Sequence, residues 1–264
     1  MTLELYHSIN SVCAQKVRIA LAEKGLAYSE HLMTLRGDQF DVEYMKLNPN
    51  AVVPTLVHDG RPVLESSVIL YYVDEVFPSP PLMPEEPHQR AAVRQYNKLV
   101  DEYVHNSCTI LTFATAFRPW FAGLSGAEIE ARLAKSPSKQ RTEYKRDVAL
   151  NGLRSKYVRD ALGHHQKLLK IMEASLERAP WLAGESFSLA DAAVIPYLLR
   201  LDLLRMAPLW AEKPRVAAWY SRMRERASVR GELLDRMRPE DHAPFRDIEP
   251  DPWPAVRGIL AEGA

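Results

Sequence analysis

Cysteine is scarce: Cys13 and Cys108 are the two in 264 residues. Two cysteines cannot build a disulfide framework, so a reducing, cytoplasmic setting is the expectation. An excess of charge of one sign is missing as well, because Lys+Arg and Asp+Glu both number 34. That balance argues against nucleic acid and against an anionic membrane surface as partners. No apolar run approaches the length of a membrane span, and Met1-Thr2-Leu3-Glu4 has neither the basic nor the apolar region of a secretory signal. Gly-x-Gly-x-x-Gly and Walker-type loops are absent, and no spacing of His, Cys and carboxylates matches a metal site, so no metal is expected. The remainder, 47% hydrophobic and 26% charged, is the composition of a soluble globular protein long enough for one large domain or two ordinary ones.

What is present begins with a short apolar run, Leu3 to Tyr6, that ends in a small polar loop. Ser11 and Cys13 follow, and an amphipathic stretch with Val17, Ala20 and Leu21 comes next. A strand running through a loop into a helix sets both side chains at a helix N-terminus. Unpaired N–H groups and the positive end of the macrodipole favour a thiolate there, whether it belongs to Cys13 or to a ligand. Lys24-Gly25 reads as a basic last turn and a C-cap. Residues 27–32 read as a second strand, and 41–46 as a short helix closed by Pro49. Asp59-Gly60 between two apolar runs is a hairpin signal, and Pro62 assigns the second of those strands to a sheet edge. A helix from Ser66 through Val76 completes a β-α-β-α-β-β-α unit.

Proline crowds residues 78–87, which therefore read as an interdomain linker. Beyond it the periodicity is helical. Val93, Tyr96, Val100, Tyr103, Ser107, Ile110 and Ala114 predict one long helix over 89–117, and Val158 to Leu176 marks another. His165 falls on the apolar stripe of that second helix. Ser188-Leu189-Ala190-Asp191 is a capping box that opens a third helix, with Pro196 inside it, and Val216, Trp219, Tyr220 and Met223 mark a fourth. Between the first two lies a charged connection over 121–157, with a capping box at Ser125 and a short helix to about Ala134. The proline-rich tail over 239–264 reads as extended.

The strand–Ser-x-Cys–helix opening, Val52-Val53-Pro54-Thr55-Leu56 and Leu64-Glu65-Ser66-Ser67 together resemble the glutathione-binding domain of cytosolic glutathione transferases. The resemblance implies a thioredoxin-like α/β domain over 1–78, a linker over 79–87 and an all-helical electrophile-binding domain over 88–264. It also implies a cis Val53-Pro54 bond, Val53 pairing with the cysteinyl part of glutathione, and Glu65-Ser66 holding its γ-glutamyl end. Extended backbone at Val53 offers one donor and one acceptor to a peptide ligand, and a helix start at Ser66 suits a carboxylate. Leu124-Ser125-Gly126-Ala127-Glu128-Ile129-Glu130 and Val100-Asp101-Glu102-Tyr103 are similar to the bacterial β-aryl-etherase type, although the insert reads equally as a solvated lid or dimer flap. Ser11-Val12-Cys13 with Lys16-Val17-Arg18 resembles the tetrachlorohydroquinone dehalogenase type instead.

A free thiol has a pKa of about 8.5, and lowering it by two units takes about 2.7 kcal/mol. A hydroxyl donor supplies roughly 1.5–3 kcal/mol and a helix N-terminus about 0.3–1. Ser11 with the first turn therefore suffices to activate glutathione as co-substrate for displacement on an aromatic electrophile such as an aryl ether or halide. Cys13 opens a second chemistry, mixed-disulfide exchange of the thiol-transferase or glutathione-lyase kind. A non-catalytic glutathione-binding or interaction module is the alternative of another class. Tyr103, Asn106, Ser107, Ile110 and Phe113 on the long helix are the expected pocket lining. A homodimer is the assembly the resemblance implies.

Overall fold

A computed structural model describes residues 2–262, so Met1 and Gly263–Ala264, at the outer ends of the two expected domains and of the tail, lie outside the described residues. The N-terminal unit runs β1 (Leu3–His7), α1 (Val12–Glu23), β2 (Ser29–Leu32), α2 (Val42–Leu47), β3 (Thr55–His58), β4 (Arg61–Val63) and α3 (Ser66–Val76). Its sheet has the order β2-β1-β3-β4, with β1 and β2 parallel and the other pairs antiparallel. Asp59 and Gly60 both take positive φ, the conformation a two-residue hairpin demands, and Pro62 sits on the edge strand where its missing N–H costs nothing. The second unit is helical: α4 (Pro87–Leu99), a π-helical turn (Val100–Val104), α5 (His105–Ala114), α6 (Gly126–Leu133), α7 (Lys139–Asn151), α8 (Val158–Leu176), α9 (Leu189–Leu203), α10 (Pro214–Glu225), α11 (Ala227–Val229), α12 (Pro239–Arg246) and α13 (Trp253–Ala261). The chain is therefore a small mixed-sheet α/β domain followed by an all-helical domain. Among the described residues no helix is long and apolar enough to cross a membrane.

Helix α1 lies between the two cores. Val17 and Leu21 pack on Leu5, Leu56, Ile69 and Val73, while Val12, Ile19 and Ala20 join the large helical core. That core is centred on α9, whose residues 189–201 are all buried, as a helix apolar on every side must be. Its start is fixed by Asp191, which accepts from the N–H groups of Ser188 and Leu182 at 3.0 and 3.1 Å and from Trp219 Nε1 at 2.8 Å.

Three expectations need correction. The tail is not extended: it forms α12 and α13, and buries Phe245, Ile248 and Val256. Three of its prolines, Pro239, Pro252 and Pro254, stand in the opening turns, where a missing N–H goes unused, while Pro244 lies inside α12. The charged connection holds a second helix beyond the expected one, α7, which the high charge density masks. The one long helix is interrupted by the π turn and ends at Ala114. Lys24, the C-cap residue of α1, is buried and donates to Asp74 Oδ1 at 2.5 Å and to the carbonyls of Phe77 and Pro80. Asp74 in turn accepts from the Leu82 and Met83 N–H groups, so the linker is packed down rather than free.

Candidate active site

The Ser8–Ser11 loop converts β1 into α1, and its conformation is set by local bonds. Ser11 has extended backbone (φ −79°, ψ 113°) and its Oγ accepts from the Ala14 N–H at 3.3 Å, so Ser11 is the N-cap and its hydroxyl proton stays available. Cys13 is the second residue of the helix and remains partly accessible. Its Sγ lies 3.4 Å from His105 Nδ1 and 3.9 Å from the Tyr197 hydroxyl, and Tyr197 Oη is itself 3.4 Å from His105 Nδ1. Burial works against the thiolate. The charge and hydrogen bond of His105, the charge of Lys16 and a hydrogen bond from Ser66 outweigh it and bring the Cys13 pKa down to about 6. Tyr197 is shifted the other way, first by burial and then by the Cys13 charge, and stays a phenol that donates.

Lys16 is held in place from both domains. Its Nζ donates to Ser67 Oγ at 3.1 Å and to Asp101 Oδ1 at 3.3 Å, and Ser67 Oγ donates to the same carboxylate oxygen at 2.8 Å. The three side chains tie α1, α3 and the π turn together directly behind the thiol.

A second set of groups lies at the same end of the two central strands. The Val53–Pro54 peptide is cis. Tyr6 pairs with Thr55, so continuing the register sets Val53 level with the loop that precedes Cys13. Val52 O accepts from Asn48 Nδ2 at 2.9 Å and from the Tyr44 hydroxyl, which fixes the segment. Val53 is buried, yet among the described residues no hydrogen bond uses its own N–H or C=O. A buried backbone donor and acceptor without partners are costly, and an extended peptide laid alongside would satisfy both. Glu65 holds φ +65°, a left-handed conformation uncommon outside glycine, and makes no capping bond to α3. The first N–H groups of α3, at Ser66 and Ser67, therefore have no side-chain acceptor among the described residues, and a helix start of this kind suits an anion. Ser66, through its bond to Cys13, links this end to the thiol.

The expected pocket lining does not form one stripe. Ser107 is buried and donates to the Tyr103 carbonyl, with its Oγ 2.9 Å from His164 Nδ1 on α8; Ile110 is core. Tyr103 is 43% exposed, against His164 and Lys167, on the α8 side of the helix. Asn106 and Phe113 do belong to the half-open face of α5, together with His105 and Thr109. The π turn over 100–104 adds a residue to one turn and rotates the following face, so extrapolation of a regular period across it selects the wrong side. His105 and Tyr197 are not among the expected site residues, and Lys16 and Asp101 enter the sequence reading only within the two resemblance motifs. The cue for His105 was a lone imidazole on a helix facing the first domain.

The family model for the glutathione S-transferase N-terminal domain matches residues 10–76, and that for the glutathione S-transferase C-terminal domain matches 134–227. Protein LigF of Sphingobium sp. is 27% identical over 250 residues, covering 91% of this chain and 96% of its own. Glutathione S-transferase TCHQD of Arabidopsis thaliana is 27% identical over 237 residues, covering 86% and 88%. The crystal structure of the β-etherase LigF from Sphingobium sp. superposes with a TM-score of 0.78 at 25% identity, covering 89% of this chain and all of that one.

Proposed function

The chain belongs to the glutathione S-transferase family, and from that premise we propose a glutathione-dependent enzyme for aromatic substrates in which Cys13 is the sulfur nucleophile. One observation carries the reading: a partly accessible thiol at a helix start, 3.4 Å from an imidazole and with a pKa of about 6, is mostly thiolate at neutral pH. The unpartnered Val53 backbone and the uncapped start of α3 fit the peptide and the γ-glutamyl carboxylate of glutathione, with the exposed Glu65 beside them for its ammonium group. His105 is a positioning residue: it stabilises the thiolate through charge and hydrogen bond.

In the proposed reaction the Cys13 thiolate attacks the sulfur of a glutathionyl aryl ketone. An S–S bond forms, the C–S bond breaks, and the electron pair leaves on carbon as an enolate, which takes a proton. The thiolate of a second glutathione attacks the mixed disulfide, releasing glutathione disulfide and regenerating Cys13. Two electrons have passed to the substrate carbon from two glutathione sulfurs, one the thioether of the substrate and the other the thiol of the second glutathione. The similarity to LigF favours a second reading, direct displacement by glutathione on a β-aryl ether with Ser11 donating to the glutathione sulfur. A homodimer and a cytoplasmic location remain part of the proposal.

Two assays separate the readings: conversion of S-phenacylglutathione with release of glutathione disulfide, and displacement on an aryl ether or halide. Cys13→Ala is expected to abolish the first and leave the second, while Ser11→Ala leaves the first. Retention of the first activity by Cys13→Ala would overturn the proposal.

A further inference from the structure

Outward from Cys13 along α5, the half-buried side chains are His105, Thr109 and Phe113, spaced one turn apart on one face. Eight residues of helix span about 12 Å, so this stripe leads from the thiol to a point the length of a two-ring aryl group away. Helix α7 of the 121–157 insert packs over it. Tyr144 is buried with its hydroxyl 3.4 Å from Asn106 Oδ1, feels the Cys13 charge, and accepts a hydrogen bond from Arg141. One residue on, Lys145 Nζ lies 4.4 Å from the centre of the Phe113 ring. That ring packs edge-on against Phe117 and Trp120, at centroid distances of 5.3 and 6.2 Å.

The charges on α7 divide into two groups. Arg146 pairs with Glu130, and Glu143 with Lys156, on the outer side. Among the described residues neither Arg141 nor Lys145 has a carboxylate partner, although both are half-buried. Burial, and then the neighbouring Arg141 charge, lower the Lys145 pKa to about 8. Two cations drawn together in an aromatic setting without an anion between them are costly to hold, unless an anion arrives with the substrate.

We propose that Arg141 and Lys145 are the anion-receiving end of the electrophile pocket, and that the preferred substrate is an aromatic compound bearing a carboxylate or similar fixed negative group remote from the reacting carbon. This rests on the reading of Cys13 as the glutathione end of the same pocket. The half-buried Thr109 and Phe113 side chains then line the path of the aryl group, and the insert becomes a specificity element rather than a solvated flap.

Titration calorimetry at pH 7 with S-(biphenylmethyl)glutathione and its 4′-carboxylate tests the inference on the full chain. The wild type is expected to bind the carboxylate at least about tenfold more tightly, the worth of one charge-assisted hydrogen bond. Lys145→Met should erase that preference and Lys145→Arg should keep it, with circular dichroism and binding of glutathione itself reporting that both variants are folded. Equal affinity for the two ligands in the wild type, or a preference that survives in the Arg141→Gln/Lys145→Met double variant, overturns the anion subsite and leaves the glutathione reading standing. Binding of neither ligand overturns both.

Discussion

Cys13 and Cys108 show what surroundings do to one side chain. Cys108 is fully enclosed in the helical core, and burial pushes its thiol up to about 11, more than the nearby Arg200 charge and Thr112 bond can offset. Cys13, partly accessible, is also pushed up by burial but has His105, Lys16 and Ser66 against it and comes down to about 6. The position of Cys13 at a helix start was legible from Ser11-Val12-Cys13 after an apolar run. Its partner was not, because His105 is 92 residues away and lies beyond a π turn that breaks the helical count. The contrast yields a prediction for labelling by iodoacetamide, followed by peptide mass spectrometry across a pH series. Modification of Cys13 should show a half-point near 6, which moves upward in His105→Ala, while Cys108 stays unlabelled in the folded protein. A half-point in the ordinary thiol range, or one indifferent to His105, would remove the imidazole from the account.

At the scale of elements, patterns that repeat within one segment were readable. The capping boxes at Ser125 and Ser188 and the apolar stripe of α8 follow from neighbours three or four residues apart, and the hairpin from the adjacent Asp59-Gly60 pair. What failed were elements whose local signal is masked: α7 by its charges, α12 and α13 by prolines that open rather than break them. The stripe of α8 also carries an inconsistency. His165 is fully buried among apolar residues and neither ring nitrogen has a hydrogen-bond partner among the described residues. Burial, then the neighbouring His164 charge, lowers its pKa to about 3, so it is neutral in the folded protein. The unfolded chain takes up a proton there below about 6.5, so stability is lost as pH falls from that value toward 3. His165→Leu should therefore raise Tm at pH 7 by removing an unsatisfied donor. Its advantage should grow by about 2 kcal/mol at pH 5, from 1.36 kcal/mol per unit of pH below the unfolded value. An advantage that stays flat between pH 7 and 5 would refute the assignment.

At the scale of the molecule, the two domains are joined by buried polar contacts that no local pattern reveals. Arg18 donates to the Ser8, Ile9 and Glu232 carbonyls and meets the Glu232 carboxylate at 3.4 Å. Arg226 makes two bonds to Glu23, Arg200 Nη2 donates to the Asn10 carbonyl at 2.5 Å, and Asn10 Nδ2 reaches Asp241 O across 231 positions. These contacts converge on α1 and the loop before it, so the helical domain is what fixes the opening loop against its partner residues. The two-domain organisation could be read from the proline-rich linker and the change of period. The joint could not, since each of its bonds pairs residues that only the fold brings together. The same docking of the helical domain brings His105 to Cys13, and the proposed role of the resulting thiolate is sulfur exchange with glutathione. The direct measurement is the intact mass of the full-length protein after a brief incubation with glutathione disulfide, followed by peptide mapping. The account predicts one glutathione per chain, on Cys13, in the wild type and in Ser11→Ala, and none in Cys13→Ser. An unmodified Cys13, or adduct levels that do not depend on it, would contradict the account.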